Sequence, residues 1–207
     1  MPRQQRPSEI LRFYGRIGEI GWRKSDYFTH SVRSQAFRRW IASQLPARKT
    51  KILSIGCGTG ELESHLSQAP HHVVGLDLSQ QMLARARSVG LKCLVQADPH
   101  FLPFDDDSFD VVMFIECIGY LHMLTAFKEA WRVLRKQGQL VIVTCSGSVE
   151  VHALYSKFHL DEIAFPLATA GFAIRKRQFL KAKRSSIAEV LSAEASTLLY
   201  VLSTKHG

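Results

Sequence analysis

The 207-residue chain predicts an α/β fold. The expected core is a doubly wound, mostly parallel seven-stranded sheet with an antiparallel hairpin at its C-terminal edge. Three observations predict it. Short apolar runs alternate with helical stretches from residue 51 to residue 144. Those runs are continuous, as in strands covered on both faces. The first, Lys51–Ile55, passes straight into Gly56-Cys57-Gly58-Thr59-Gly60, and Glu61 then opens a helix. Glycines at alternate positions allow a tight turn and close approach of a ligand, at a helix N-terminus that favours negative charge.

Residues 1–50 show no strand signal. Ser8 is placed to cap a short helix around Ile10, Leu11 and Phe13, and Gly15, Gly18 and Gly21 make the next stretch pliable. Val32, Ala36, Phe37, Trp40, Ile41 and Leu45 share one face of a helix that Pro46 closes. The core then reads as strand 51–55, helix 61–68, strand 72–77, helix 79–89, strand 92–97, strand 109–115, helix 124–135 and strand 139–144. Ser79 suits the N-cap of the second of these helices and Gly90 the position past its end. A helix over 161–170 meets Gly171. Strands over 172–180 and 197–204 follow without a long crossover helix, which predicts an antiparallel pair. The division is a helical extension or lid over 1–50 and a core over 51–207.

Composition narrows the class. Hydrophobic residues make up 46% of the chain, ordinary for a domain with a sizeable core. No apolar run approaches the ~20 residues that cross a bilayer, and the basic start Met1–Pro7 has no apolar segment behind it. A cytoplasmic protein is expected. Cys57, Cys93, Cys117 and Cys145 lie in or beside apolar runs without CxxC spacing, which predicts buried thiols and no zinc site. Asp105-Asp106-Asp107 reads as a solvated turn, because three adjacent residues cannot all face one ion. Residues 1–50 carry 11 Lys+Arg against 3 Asp+Glu, residues 51–170 carry 9 against 13, and residues 171–207 carry 7 against 2. Basic ends on a mildly acidic core suit an anionic partner or substrate, or simply a solvated basic surface.

Seventeen residues after Gly60, the run Val73-Val74-Gly75-Leu76 ends in Asp77, an acid placed to accept from ribose hydroxyls. Further along stand Gln96-Ala97-Asp98, then Leu102-Pro103-Phe104 with Ser108-Phe109-Asp110-Val111-Val112, then Trp131-Arg132-Val133-Leu134-Arg135 before Gly138. Together with the glycine turn Ile52–Gly60, these segments resemble the class I S-adenosylmethionine-dependent methyltransferases, in particular the small subgroup with a Leu-Pro-Phe…Phe-Asp signature. Each piece alone is weak; five in order at the expected spacing are a strong signal. The resemblance implies a Rossmann-like sheet.

It also implies a site. The turn at Gly56, Cys57 and Gly58 would cradle the methionyl part of S-adenosylmethionine, with Ser54 and Gly60 beside it in the cofactor site. Asp77 would hold the ribose diol, Leu78 and Met82 would pack the adenine, and Ala97-Asp98 would meet its amino group. Ile115 and Glu116, ending strand four, would face the sulfonium and the substrate. Two positions depart from the family. Ser54 stands where an acid usually helps to moor the cofactor's ammonium, and Gln137 replaces the first of two glycines. Methyl transfer from a sulfonium is a direct displacement that needs alignment and exclusion of water, and a base only for a protonated nucleophile. Glu116, Tyr120 and His122 are the candidates for that base. Tyr27, Phe28 and His30 are candidates to line the substrate pocket from the lid, or to pack the lid on the core.

The leading function is methyl transfer to a small-molecule acceptor, with no membrane span. The alternatives are an RNA-modifying methyltransferase, motivated by the basic ends, and a non-catalytic cofactor-binding protein, motivated by Ser54. A dehydrogenase ranks last, because G-x-G-x-G is not the dinucleotide spacing.

Overall fold

The computed structural model describes residues 8–9, 11–12, 16, 35–68, 70–146, 160–181 and 197–205. Its elements run α1 (Gln35–Gln44), β1 (Lys51–Ile55), α2 (Glu61–Leu66), β2 (His72–Asp77), α3 (Gln80–Ser88), β3 (Cys93–Gln96), β4 (Phe109–Ile115), a 3-10 turn (Ile118–Tyr120), α4 (Met123–Val133), β5 (Leu134–Ser146), α5 (Leu160–Thr169), β6 (Phe172–Lys181) and β7 (Thr197–Lys205). The strands form one seven-stranded sheet in the order β3-β2-β1-β4-β5-β7-β6. The first five are parallel to one another, and β7 is antiparallel to both β5 and β6. The expected sheet and its antiparallel edge are both present.

Alternation along the strands builds two apolar layers. Leu53 and Ile55 of β1, Val112 and Phe114 of β4 and Leu140 and Ile142 of β5 face Ala126, Phe127 and Ala130 of α4 and Ile163 and Leu167 of α5. Phe114 and Phe127 meet edge to face at 5.7 Å between ring centroids. On the other face, Ile52, Val111, Met113 and Val141 pack with Leu62 and Leu66 of α2, Ala86 of α3, and Phe37, Ile41 and Leu45 of α1. Helix α1 is therefore part of the core layer. Ser79 caps α3, its hydroxyl accepting from the Met82 amide at 3.3 Å, and Gly90 past its end has φ 97°.

Two expectations need correction. Helix α4 stops at Val133, and β5 begins at Leu134 rather than at residue 139. Leu134 is fully buried and pairs with Phe109, with a bulge before the ladder resumes at Val111 and Gln139. Exposed Arg135, Lys136 and Gln137 conceal that start in the sequence. Gln137 has φ 61°, the left-handed region that glycine enters freely, which explains why a glycine suits this position. The acidic turn Asp105–Asp107 is exposed, as expected, and two ion pairs hold it. Asp106 accepts from Arg132 at 2.9 Å and Asp107 from Lys205 at 2.8 Å. Among the described residues no helix is long and apolar enough to cross a membrane.

Two clamps close the structure. Lys205 is 6% exposed; its ammonium donates to the Leu134 carbonyl at 2.6 Å and lies 4.1 Å from the Trp131 ring centroid. It thereby ties the end of β7 to the start of β5 and to the acidic turn. Asp110 accepts from the Lys51 amide at 2.8 Å and from Arg135 and Arg48 at 3.1 and 3.3 Å. Burial works against the Asp110 carboxylate, but the Lys51 amide and the two guanidiniums hold its pKa below the usual range.

Lys205→Ala should lower the unfolding free energy by about 2–3 kcal/mol in urea titration, because a buried carbonyl loses its donor and Asp107 its cation. A folded-state pKa below the unfolded one stabilises above the ordinary carboxylate range, and that stabilisation disappears as pH falls through the folded value. Asp110→Asn should therefore be less stable than the parent at neutral pH, with the two stability curves converging on acidification.

Candidate functional site

β1 lies between β2 and β4, so the chain's two sets of crossovers diverge at its carboxyl end. Such a divergence opens a crevice beyond the strand tips. The glycine turn sits there. Gly56 has φ 68°, and a Cβ on it would lie 2.6 Å from the Cys117 Cβ, so the turns after β1 and β4 touch. Gly58 has φ 55°, and a Cβ on it would meet nothing within 4 Å; its face of the turn is open.

Asp77, at the tip of β2, fixes this turn. One carboxylate oxygen accepts from the Gly58 amide at 2.8 Å and the other from the Ser79 amide at 2.9 Å. Burial pushes its pKa up, against the Ser79, Gly58 and Leu78 amides that favour the charged form. Leu78 keeps exposed surface, and its carbonyl accepts from Gln96, whereas Met82 is fully buried. Ala97 continues from β3, its amide donating to the Asp77 carbonyl at 3.3 Å. Asp98 follows, half exposed, and accepts from His100.

Across the crevice, Glu116 extends β4 past Ile115. Its amide donates to the Val143 carbonyl at 2.8 Å, while its φ of 55° is unusual for a residue with a side chain. Non-glycine backbone of this kind is held only where surrounding contacts over-determine it, and it concentrates at functional sites. The Cys117 thiol donates to the Ile55 carbonyl at 3.1 Å, joining this turn to β1. Tyr120 ends the 3-10 turn, partly buried. His122 stands at the N-cap position of α4, and its ring bonds Thr125 Oγ1 at 2.7 Å, which folds it onto its own helix. Tyr27, Phe28 and His30 lie outside the described residues.

Two residues at this site went unseen in the sequence. Glu63 of α2 is 3% exposed, and its carboxylate accepts from the Ser54 hydroxyl at 2.6 Å. Its signal is a carboxylate one residue beyond Leu62 on the buried face of a helix that opens from the glycine turn. His100 bonds both Asp98 and the amide of His122. Its signal is an aspartate two residues before it, the spacing of a local side-chain turn.

Carboxylates gather around the two thiols here. Burial raises the thiols of Cys57 and Cys117 well above their ordinary range, and nearby carboxylates push further in the same direction. For Cys57 these are Glu63 and Asp77; for Cys117 they are Asp77, Glu116 and Glu63. Both sulfurs stay protonated, which argues against either as a nucleophile.

Residues 53–142 match the family described as "Methyltransferase domain". YqeM of Bacillus subtilis is 33% identical over 153 residues, covering 70% of this chain and 57% of its own length. Demethylmenaquinone methyltransferase of Staphylococcus aureus is 34% identical over 188 residues, covering 82% of this chain and 71% of its own. The chain thus spans between about half and three quarters of these relatives. Two solved structures share the fold. One is a chain from the complex of the Haloferax volcanii Trm112 methyltransferase activator with a methyltransferase, at TM-score 0.76 and 17% identity over 94% of this chain and 98% of that one. The other is Haemonchus contortus phosphoethanolamine N-methyltransferase 2, solved with S-adenosylhomocysteine, at TM-score 0.69 and 20% identity over 84% and 53%. A glycine turn pinned to an acid at the tip of the second strand, in a chain with these relatives, places the protein in the S-adenosylmethionine-dependent methyltransferase family.

Proposed function

We propose that this chain transfers a methyl group from S-adenosylmethionine to a small-molecule acceptor. The observation that carries the reading is the open glycine turn tied to Asp77 and surrounded by Glu63, Asp77 and Glu116. The donor set fits a ligand with a sulfonium, an ammonium and a ribose diol, since buried carboxylates discriminate for cations and paired hydroxyl donors. The cofactor supplies a methyl group on positively charged sulfur. In this reading Asp77 accepts from the ribose hydroxyls, Leu78 flanks the adenine and Asp98 accepts from its amino group. Gly56–Gly60 lets the methionyl chain approach the backbone. Glu63, held by Ser54, contributes the negative charge that position 54 itself lacks. Glu116 and Ile115 border the reacting centre, and Tyr120 and His122 border the acceptor's side. Alignment and exclusion of water are the chain's main work, with Glu116 the best-placed group to hold a proton.

The name of the Staphylococcus aureus relative, a demethylmenaquinone methyltransferase, supports a small-molecule acceptor. The helical extension over 1–50 is the proposed lid, and a protein partner of the kind seen with the Haloferax volcanii fold neighbour is a further proposal.

Calorimetric titration with S-adenosylhomocysteine tests the site. Asp77→Ala should weaken binding by at least about tenfold, the worth of a charged hydrogen bond; unchanged affinity would overturn the assignment. Glu63→Gln should weaken S-adenosylhomocysteine by about fivefold or more. It should leave 5′-methylthioadenosine, which lacks the amino acid moiety, unaffected. Equal losses for both ligands would mean that Glu63 only supports the turn.

A further inference from the structure

Asp98 follows β3 and His122 opens α4, yet one imidazole touches both. His100 Nδ1 lies 2.6 Å from Asp98 Oδ1, and its Nε2 lies 3.0 Å from the backbone nitrogen of His122. A peptide N–H can only donate, so Nε2 presents its lone pair to it. The ring proton is therefore on Nδ1 and is donated to Asp98. The His100 amide donates to the same carboxylate oxygen at 2.9 Å. Asp98 Oδ1 thus receives two donors from one residue, which fixes the carboxylate's orientation from within its own turn.

The other end of the link is equally specific. The ring of His122 is engaged by Thr125, so it is the backbone of His122, and not its side chain, that His100 holds. That backbone follows directly on the 3-10 turn carrying Tyr120. The side chain of His100 is 22% exposed and that of Asp98 45% exposed, so the link bridges two loops at the rim of the crevice and not the core.

We propose that His100 is a positioning residue. As a neutral, Nδ1-protonated imidazole it couples the Asp98 carboxylate to the start of α4. The adenine end of the site and the turn bearing Tyr120 and His122 then order together. This inference rests on the cofactor reading above, in which Asp98 meets the adenine amino group.

Two substitutions in the full chain separate the halves of the link. Asn places an amide donor where Nδ1 stands and has no acceptor at Nε2; Gln places an acceptor at Nε2 and loses the donor at Nδ1. Without ligand, nitrogen-15 spectra of the imidazole should show the Nδ1-protonated tautomer, and the Nε2-protonated form overturns the proposal. Adding S-adenosylhomocysteine should slow amide exchange over Tyr120–Met123 in the parent chain. His100→Asn should bind that ligand with near-parent affinity but lose the slowing. His100→Gln should keep the slowing and bind about fivefold more weakly. Equal slowing in the parent and in His100→Asn overturns the coupling. Failure of the parent to bind S-adenosylhomocysteine overturns the cofactor reading and the positioning role with it. The ligand-free tautomer reports on the hydrogen-bond chain alone, so the two failures are distinguishable.

Discussion

The structure depends on one carboxylate with two amides. Asp77 accepts from Gly58 with one oxygen and from Ser79 with the other. The first bond sets the height of the glycine turn against the tip of β2. The second orients Ser79, whose hydroxyl caps α3. A single side chain thus fixes the floor of the crevice and starts the helix behind it. Burial disfavours its charge, and the amides restore the balance. Because the turn is already tied down before any ligand arrives, little ordering cost remains for binding.

The segments with the strongest family resemblance divide by role. Gly56–Gly60 and Asp77 form the candidate site. The run from Leu102 to Asp110 mainly closes the structure. Arg132 donates to the carbonyls of Phe104 at 2.7 Å and Leu102 at 2.9 Å and pairs with Glu129, which in turn accepts from the Leu102 amide. Those bonds with Arg132 are the main reason that the Glu129 pKa is lowered. Phe104 meets Phe109 edge to face at 5.0 Å. Asp110 joins the starts of β1 and β5 to β4. A signature can therefore mark how a loop is stapled and not what reacts.

Legibility in the sequence followed locality. The parallel strands were visible because each is a continuous apolar run, and the turn because its glycines and the acid at the tip of β2 have a fixed spacing. Ser79 and Gly90 were visible as caps for the same reason. Glu63 escaped because its meaning comes from Ser54, nine residues away and across a turn. His100 escaped because half of its link reaches residue 122. Lys205 meets Asp107 and Leu134 only when the sheet is complete. The start of β5 was hidden by three exposed polar residues, a pattern that belongs to a loop unless Leu134 is known to pair with Phe109. Position 54 looked like a missing charge in the sequence; in three dimensions a carboxylate from the next helix stands against it.

The order β5-β7-β6 sets a sequence of events for a chain growing from its N-terminus. β6 is made before β7, and among the described strands its one partner is β7, which lies between it and β5. The β5 edge that β7 covers therefore waits for a strand that begins at Thr197, and Arg175, Lys176 and Arg177 give β6 the kind of charge that discourages edge-to-edge mispairing. Pairing β7 with β5 joins residues far apart in the chain, from Ser146 with Thr197 to Gln139 with Thr204, a non-local step of the kind that slows folding. Completion of the fold, and with it the Lys205 clamp, falls to the last strand of the sheet to be synthesised.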